Sequence, residues 1–449
     1  MEAGRPIPFR MFGPPVYAAS TDRERRGFDQ SLILTWTPNG FRGRGKVGDR
    51  KAHVQGVIGP LLRMFERRRW LCALYWSAWS LDTSLTHTEA VLLGGVHHWD
   101  HQSMDRVWPR ALAPVAMSSA VTYVLRWLAE GQVTHATLCA NSATRVARHC
   151  LGDGRHFGVS LRYSEDHVPR GPAGCVRDVA DQSSAERFVV ADACHLPQLD
   201  LNKLMATHVA SRAAMTVALT THNAETGTND SRLRPVGVYV IEREALDHIP
   251  GPGYQDIKEE LIPRLRREGM PVLPYIIHDR VFRLSGIDGY LATHEQVVSR
   301  IVQGDWAGAD FERLGGSLVH RSADISSRSR LMGPCVVGPD ARIAPGATIV
   351  GPTVVGEGVV IEKGATVSRS ALWEGCRIGD AATVDSAIVT HGATVRPEET
   401  VTHGLRFPGR PNWRPRPERP IWTRRQATLP ARTMRKNGVS ASATANVAG

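Results

Sequence analysis

The sequence predicts an α/β domain with a Rossmann-like, mixed and mostly parallel sheet, followed by a left-handed parallel β-helix. Strand and helix patterns alternate over residues 89–300, and an aliphatic residue recurs every six residues over 331–401. The alternation is typical of a parallel sheet that is covered by helices on both faces. The six-residue period is typical of a hexapeptide β-helix, in which three short faces make one coil.

The α/β segment begins with the apolar strand Ala90–Leu93, which ends in Gly94-Gly95. Further strands are expected at Ala136–Cys139, Val159–Tyr163, Phe188–Ala191 and Met215–Leu219, and helices at Ala120–Glu130, Asn141–His149 and Asn202–His208. Ligands of such sheets bind beyond the carboxyl ends of the strands. The sequence therefore predicts a ligand site next to Gly94-Gly95.

The six-residue repeat supplies one inward aliphatic side chain per step, with glycine and small residues at the corners. The repeated positions are Val337, Ile343, Ile349, Val355, Ile361, Val367, Ile378 and Val384. The period is interrupted at Leu372-Trp373, and Val389, Val395 and Val401 continue it one residue out of step. We expect Trp373 to be either a plug at a corner of the β-helix or an anchor in an interface.

The charge pattern adds two flanking segments to these domains. The chain of 449 residues has a formal net charge of +11, but the excess of Lys and Arg lies in residues 1–88 and 405–449, and the middle is mildly acidic. We expect an uncertain basic N-terminal extension over 1–88, an α/β domain over 89–305, a β-helix over 325–403 and a disordered basic tail over 404–449. The acidic middle argues against a nucleic-acid-binding core. The tail is either a solvated, solubilising segment or a weak contact for anionic partners.

The composition indicates a protein without a membrane span. No apolar run is long enough to cross a bilayer, and the apolar stretch at 71–79 lies too far from Met1 for a signal peptide. The seven cysteines are scattered without zinc-site spacing, which predicts reduced thiols and a cytoplasmic location. Because residues 1–88 carry few fold signals, a second interpretation places the true start of the protein near Met64 or later.

Several separated blocks resemble the sugar-1-phosphate nucleotidyltransferases, also called nucleotide-sugar pyrophosphorylases. The family pattern is a strand, then GGxGTRLxPLT, then PKPLxPV; this chain has Gly94-Gly95 and, after a loop, Pro109-Arg110-Ala111-Leu112. Four later blocks follow in the family's order, at 151–163, 188–201, 235–239 and 282–291. The resemblance implies a nucleotidyltransferase domain before the β-helix. It also implies a reaction that joins a nucleoside triphosphate to a sugar 1-phosphate and releases pyrophosphate.

The resemblance also implies site residues, which can be carried over position by position. The nucleotide-binding positions are Leu93, Gly94, Gly95, Gly171 and Gly174. Arg110 stands where the family has a phosphate-binding Lys, and it is the expected phosphate cation. The two Asp residues that hold Mg²⁺ in the family correspond to Cys194 and Leu284. Asp192, two residues before Cys194 and on the same strand face, is the remaining candidate for a metal ligand.

Other functional positions of the family lack a counterpart. The loop Arg is absent, the Asn that contacts the sugar corresponds to Pro235, and the segment between Leu219 and Pro235 is too short for the family's sugar-binding hairpin. The family's Gly-Thr-Arg is replaced by the run His98–His101. His97 and His101 have a metal-ligand spacing if they are helical. A polar surface loop is the favoured interpretation, because no helix is expected beside Gly94-Gly95.

Three functions remain open at this point. The coordinated substitutions favour a non-catalytic homologue that regulates or scaffolds an active paralogue in nucleotide-sugar metabolism. Such a chain would bind a nucleotide or NDP-sugar and assemble as a homo-oligomer or with that paralogue. The second function is an active, divergent nucleotidyltransferase, which would use Mg²⁺ on Asp192 and Arg110 on phosphate; otherwise no cofactor is expected. The third is a β-helix acyltransferase with His391 as its catalytic histidine.

Overall fold

The computed structural model of the chain describes residues 33–37, 40–44, 88–95, 108–165, 170–222, 229–278, 281–284, 286–304, 306–308, 310–408, 416–418 and 420–424. The chain divides into two compact units, Met1–Trp79 and Ser80–Gly449. The first unit contains an antiparallel pair of strands, β1 (Ile33–Thr37) and β2 (Gly40–Arg44). All further elements belong to the second unit.

The α/β domain is built on one mixed sheet. The strands of the domain are β3 (Thr88–Leu93), β4 (Pro114–Val115), β5 (Ser118–Ser119), β6 (His135–Cys139), β7 (Ser160–Ser164), β8 (Arg187–Asp192), β9 (His195–Leu196), β10 (Met215–His222), β11 (Asn229–Glu242), β12 (Val272–Ile277) and β13 (Phe282–Arg283). Seven of them form the sheet, in the order β12-β10-β11-β8-β3-β6-β7. All neighbours are parallel except at β11, which is antiparallel to β8 and β10. The predicted mixed, mostly parallel sheet is confirmed.

Helices cover both faces of this sheet. They are α1 (Ala120–Glu130), α2 (Thr144–Leu151), α3 (Gly171–Ala180), α4 (Leu201–Ser211), α5 (Arg243–Leu246), α6 (Ile262–Arg267, preceded by a π-helical turn at Ile257–Leu261) and α7 (Ile287–Gln303). Successive residues of β3 enter opposite cores: Leu92 packs with one buried cluster and Val91 with the other. This alternation follows from the period of two along a strand, and it explains why β3 is apolar throughout.

The C-terminal domain is a parallel β-helix, as the repeat predicts. The linker before it contains β14 (Trp306–Ala307), which pairs with β32 (Thr423–Arg424) from the end of the described chain. The strands of the β-helix domain are β15 (Phe311–Leu314), β16 (Ser317–His320), β17 (Asp324–Ile325), β18 (Arg330–Met332), β19 (Cys335–Val337), β20 (Arg342–Ile343), β21 (Thr348–Val350), β22 (Thr353–Val355), β23 (Val360–Ile361), β24 (Thr366–Ser368), β25 (Ala371–Leu372), β26 (Arg377–Ile378), β27 (Thr383–Asp385), β28 (Ile388–Val389), β29 (Thr394–Val395), β30 (Thr400–Thr402) and β31 (Leu405–Arg406). Three sheets, in the orders β15-β16-β19-β22-β25-β28-β31, β17-β20-β23-β26-β29 and β18-β21-β24-β27-β30, form its faces. The repeated aliphatic side chains stack in one buried inner core.

The interruption of the repeat turns Trp373 out of the β-helix. Leu372 pairs with Val355 of the preceding coil and Val389 of the next, so it continues the column of aliphatic side chains in the inner core. The step from Val367 to Leu372 is therefore one residue shorter than the six-residue repeat. Trp373 then points to the α/β domain, where its indole Nε1 donates to the Tyr290 hydroxyl of α7 at 2.9 Å. Of the two roles expected for Trp373, the structure shows the interface anchor, and the interface is internal to the chain.

Aromatic side chains fill the junction between the two domains. The ring of His391 lies between Trp108 and Trp373, with centroid distances of 5.0 and 4.8 Å. Burial lowers the pKa of His391 to about 3, so the ring is neutral. His391, the histidine considered for acyl transfer, therefore serves domain packing in this structure. A cavity of about 110 Å³ lies beside these rings.

The segment after the β-helix differs from its expectation of disorder over 404–449. Residues 405–408, 416–418 and 420–424 are placed against the rest of the second unit, and Trp422 is fully buried. The reason is local: Ile421-Trp422 is an apolar pair inside a Pro- and Arg-rich sequence, and average composition conceals it.

Within the described ranges, none of the helices combines the length and the apolarity that a bilayer crossing requires.

Candidate functional site

The carboxyl ends of β3, β6 and β8 meet at Gly94-Gly95. Leu93 pairs with Cys139 of β6 and with Asp192 of β8, and the N–H of Gly94 donates to the Cys139 carbonyl at 2.9 Å. A Cβ atom at Gly94 would lie 3.1 Å from Leu138 Cδ1. The glycine pair thus lets the chain turn closely over β6 at the sheet edge where ligands of α/β proteins bind.

The loop after Gly95 is described again from Trp108 onward. The histidine run, His98–His101, lies outside the described residues, as does His97. Arg110 begins a 3-10 turn, Arg110–Leu112, whose residues Ala111 and Leu112 are buried. Arg110 itself is half-buried. Burial of Ala111 and Leu112 holds the turn in place. The guanidinium of Arg110 is a group that can pair with phosphate.

Gly171 and Gly174 open α3. Gly171 has a φ of +74°, and a Cβ atom there would lie 2.5 Å from the Gln255 carbonyl oxygen. The same Gln255 oxygen accepts from the N–H of Ala173 at 3.0 Å. A Cβ at Gly174 would lie 2.7 Å from Arg170 Cβ. Contact with the 251–256 segment therefore accounts for glycine at 171, without a ligand.

Asp192 is engaged by its own turn. Its Oδ1 accepts from the N–H of Cys194 at 2.9 Å, and its Oδ2 lies 3.4 Å from His195 Nε2. His195 is buried; its Nδ1 donates to the Val236 carbonyl at 2.9 Å, and its Nε2 accepts from Arg283 Nε at 2.6 Å. These partners assign the neutral tautomer of His195 with the proton on Nδ1. The carboxylate thus lies in a network of chain groups.

The two positions that the resemblance aligns with the family's metal ligands are buried and joined through their backbones. Cys194 and Leu284 are 2% and 0% exposed, and the Leu284 N–H donates to the Cys194 carbonyl at 3.4 Å. Both side chains belong to the larger buried core, which also contains Val236 and Val238. Mg²⁺ takes oxygen ligands in near-octahedral geometry. The residues here do not fit Mg²⁺, because a thiol and an isobutyl group fill the space where two carboxylates would stand.

The sugar-side positions are also altered. Pro235 pairs with Leu219, and a bulge follows, with Gly237 at a φ of +76°. A Cβ atom at Gly237 would lie 2.6 Å from His195 Nδ1, so His195 fills the space over this bulge. The segment after Leu219, which the sequence indicates is too short for the family's sugar-binding hairpin, still forms a short hairpin. β10 and β11 do form a hairpin as far as the pair His222 and Asn229, and its tip lies outside the described residues.

Asn141 is a candidate that sequence reasoning missed. It follows β6 with a φ of +47°, and its buried Oδ1 has no hydrogen-bond partner among the described residues. Its Nδ2 would lie 3.7 Å from a Cβ atom at Gly95. Left-handed backbone at a residue other than glycine is concentrated at functional sites, although Asn tolerates it best. Its place directly after a strand was the available signal.

Two family models match regions of this chain, one in each domain. The family model described as "Nucleotidyl transferase" matches residues 105–228, and "GMPPB C-terminal domain" matches residues 331–404. A mannose-1-phosphate guanylyltransferase of Mycobacterium tuberculosis is 26% identical over 278 residues, 57% of this chain and 77% of that protein. A D-glycero-alpha-D-manno-heptose 1-phosphate guanylyltransferase of Aneurinibacillus thermoaerophilus is 24% identical over 131 residues, 29% of this chain and 56% of that protein. The crystal structure of HddC from Yersinia pseudotuberculosis complexed with GMP-PN aligns with a TM-score of 0.42 and 10% identity, over 46% of this chain and 99% of that chain.

The nucleotidyl transferase match falls within the mixed-sheet domain, and the GMPPB C-terminal match falls within the β-helix. Together with the two relatives, these matches show that the chain is similar to the sugar-1-phosphate guanylyltransferases and is consistent with the sugar-1-phosphate nucleotidyltransferase family.

Proposed function

We propose that this chain is a non-catalytic member of its family, a regulatory or scaffold subunit in nucleotide-sugar metabolism. The observation that carries the proposal is the pair Cys194 and Leu284, which are buried and joined by a backbone hydrogen bond, at the positions that the resemblance aligns with the family's metal ligands. In this family the metal holds the phosphates while negative charge shifts to the leaving pyrophosphate. Removing such a stabilising group costs several kcal/mol of transition-state binding.

The neighbouring residues support the same proposal. Asp192 could replace one carboxylate, but its Oδ1 is used by Cys194 and its Oδ2 lies beside His195. Pro235 offers no side-chain amide to a sugar. The parts that remain, Gly94-Gly95 and Arg110, suit retention of a nucleotide or NDP-sugar without turnover. Assembly with an active paralogue, or with further copies of this chain, belongs to the proposal.

The proposal is tested by measuring pyrophosphate release. The full chain is supplied with Mg²⁺, each common nucleoside triphosphate, and mannose 1-phosphate or a heptose 1-phosphate, beside an active guanylyltransferase as positive control. We expect no release above the blank, and a changed kcat or KM when the chain is mixed with the active paralogue. Turnover that disappears in Asp192→Asn contradicts the proposal. The amide oxygen of that variant can still accept from Cys194, so the turn is preserved while the charge is removed.

A second candidate is an active, divergent sugar-1-phosphate guanylyltransferase. The observation that favours it is that both relatives are named as guanylyltransferases. Arg110 would then bind phosphate and Asp192 would be the single protein carboxylate on Mg²⁺. This candidate predicts Mg²⁺-dependent stabilisation by GTP, which reaches about 2.7 kcal/mol at a ligand concentration of 100 Kd. A melting temperature that no nucleoside triphosphate shifts would end it.

A further inference from the structure

The chain returns to the α/β domain after the β-helix, through a segment that we call the C-terminal strap (residues 416–418 and 420–424). Trp422 is its most buried residue, and its indole Nε1 donates to the carbonyl oxygen of Ala116 at 2.8 Å. The Trp422 ring also packs on Phe311 with a centroid distance of 4.6 Å. Thr423 and Arg424 then pair with β14, which extends the docked segment to the linker between the domains.

Glu418 of the strap binds the start of α1. Its Oε2 accepts from the N–H of Ser119, the N-cap residue, at 3.3 Å and from the Thr122 hydroxyl at 2.8 Å. Its own N–H donates to the Cys150 carbonyl of α2 at 2.7 Å. Ser119 makes no side-chain cap bond of its own, so a carboxyl group from almost the other end of the chain serves this helix N-terminus.

The strap also binds the β-helix. Arg416 lies 2.9 Å from Glu357 and 3.2 Å from Glu374, which belong to successive coils. Arg416 and Glu418, together with Ile421, line the cavity between the domains. One short segment therefore contacts α1, α2, the interdomain linker and the β-helix.

The contact of Trp422 falls on a strained turn. Ala116 and Met117, with φ of +46° and +71°, connect β4 to β5 in a conformation that two-residue hairpins normally give to Asn or Gly. Three elements hold this turn. The Trp422 indole binds the Ala116 carbonyl, His294 Nδ1 accepts from the Ala116 N–H at 3.5 Å, and Met117 packs on Gly338 of the β-helix.

The same turn ends the segment that carries Arg110. From Trp108 onward this segment, residues 108–119, is closed by bonds from Ala113 to Arg110 and from Ala120 to the Ala113 carbonyl. A turn that is unfavourable by itself persists only while its surroundings impose it. The conformation of the segment that presents Arg110 thus depends in part on contacts from outside the α/β domain, those of Trp422 and of the β-helix.

We propose that the C-terminal strap is a latch that sets the conformation of residues 108–119. The docked strap holds the Ala116–Met117 turn closed; a released strap frees the turn, and Arg110 moves with it. Any event that withdraws Trp422 therefore changes the conformation of residues 108–119 and the position of Arg110. The latch does not depend on whether that segment binds a nucleotide, so it can be tested separately from the proposed function.

Hydrogen exchange of the full chain tests the latch. In Trp422→Ala we expect at least about tenfold faster exchange of the Ala113, Ala116 and Ala120 amides. The Val360 and Thr366 amides of the β-helix, which bond to neighbouring coils, should keep their protection. A chain shortened after Arg424 is the matched control, since it loses tail residues but keeps the strap, and its exchange should equal that of the full chain.

A second variant protects the test against a folding failure. Trp422→Phe keeps an aromatic ring in the core but removes the donor to Ala116, so the same three amides should exchange faster by a smaller factor. Unchanged exchange of these amides in both variants overturns the latch. Equal acceleration in the β-helix and in residues 108–119 overturns it too, because that result describes loss of global stability.

Discussion

The N–H of Leu284 donates to the carbonyl of Cys194 at 3.4 Å, which joins the ends of β13 and β9. Both side chains are buried, and no carboxylate is present at either position. The backbones at the two positions are thus joined, and both side chains are part of the core. The pair is sensitive to charge, because an ionised group placed there would lose its hydration.

Leu284→Asp should lower the free energy of unfolding by more than about 3 kcal/mol, because it buries a carboxyl group and removes core packing. The matched control is Leu314→Asp, at a leucine that is 54% exposed, which should stay within about 0.5 kcal/mol. Urea unfolding measures both. If the Leu284→Asp protein is stable and Mg²⁺ stabilises it further, the space around Cys194 and residue 284 can still hold a metal ion, which contradicts this prediction.

Gly171→Ala should destabilise the protein more than Gly253→Ala does. Both glycines have a φ in the left-handed region, at +74° and +87°, so both variants carry backbone strain. Only at Gly171 does the new methyl group meet another atom, the Gln255 carbonyl oxygen at 2.5 Å. We expect a difference of about 1–3 kcal/mol in thermal or urea unfolding. Equal losses would show that the 251–256 segment moves aside freely.

Trp373→Ala should cost about 3–5 kcal/mol, since it opens a cavity at the domain junction and leaves the Tyr290 hydroxyl without this donor. Trp373→Phe should cost less, because it keeps most of the buried area. Met332→Ala, at a β-helix residue that is 54% exposed, is the control and should be nearly neutral. Differential scanning calorimetry measures all three. A small loss in Trp373→Ala would contradict the anchor role.

Acid should weaken the domain junction through its buried histidines. Burial lowers the pKa of His294 and of His391 from 6.5 to about 3. Their contribution to stability is complete above the unfolded pKa of 6.5 and is lost as the pH falls towards 3, because the unfolded chain binds protons that the folded chain rejects. We expect a loss on the order of 1 kcal/mol or more per histidine between about pH 7 and about pH 4.5. Denaturant titrations at these two pH values measure the loss.

The control for this pH dependence is a histidine on the surface. His391→Asn should flatten the dependence, whereas His135→Asn, at an exposed position of β6, should leave it unchanged. The same slope in wild type and in His391→Asn would show that His391 is not the source.

Much of the candidate site could be predicted from the sequence, because its glycines and its substitutions are visible in a local alignment. The sequence placed Gly94-Gly95 at a strand end, and the structure agrees with that placement. The correspondence of Cys194 to a metal position stays a prediction from the resemblance. It could not predict that Asp192 is used by its own turn, since this depends on His195 and on the strand β13 that brings Arg283 to it. Asn141 was missed for a similar reason: its backbone conformation is set by the packing around β6.

By itself, the sequence determined the alternating α/β sheet and the β-helix, because both depend on periodicities that repeat within a few residues. Only the tertiary structure decided how the two domains are joined. Trp373 anchors to Tyr290 because one step of the repeat is short, and Glu418 binds Thr122 across 296 residues. Composition predicted disorder for this tail. The apolar pair Ile421-Trp422 is visible in the sequence, but only the tertiary structure shows that Trp422 is buried against Phe311 and Ala116.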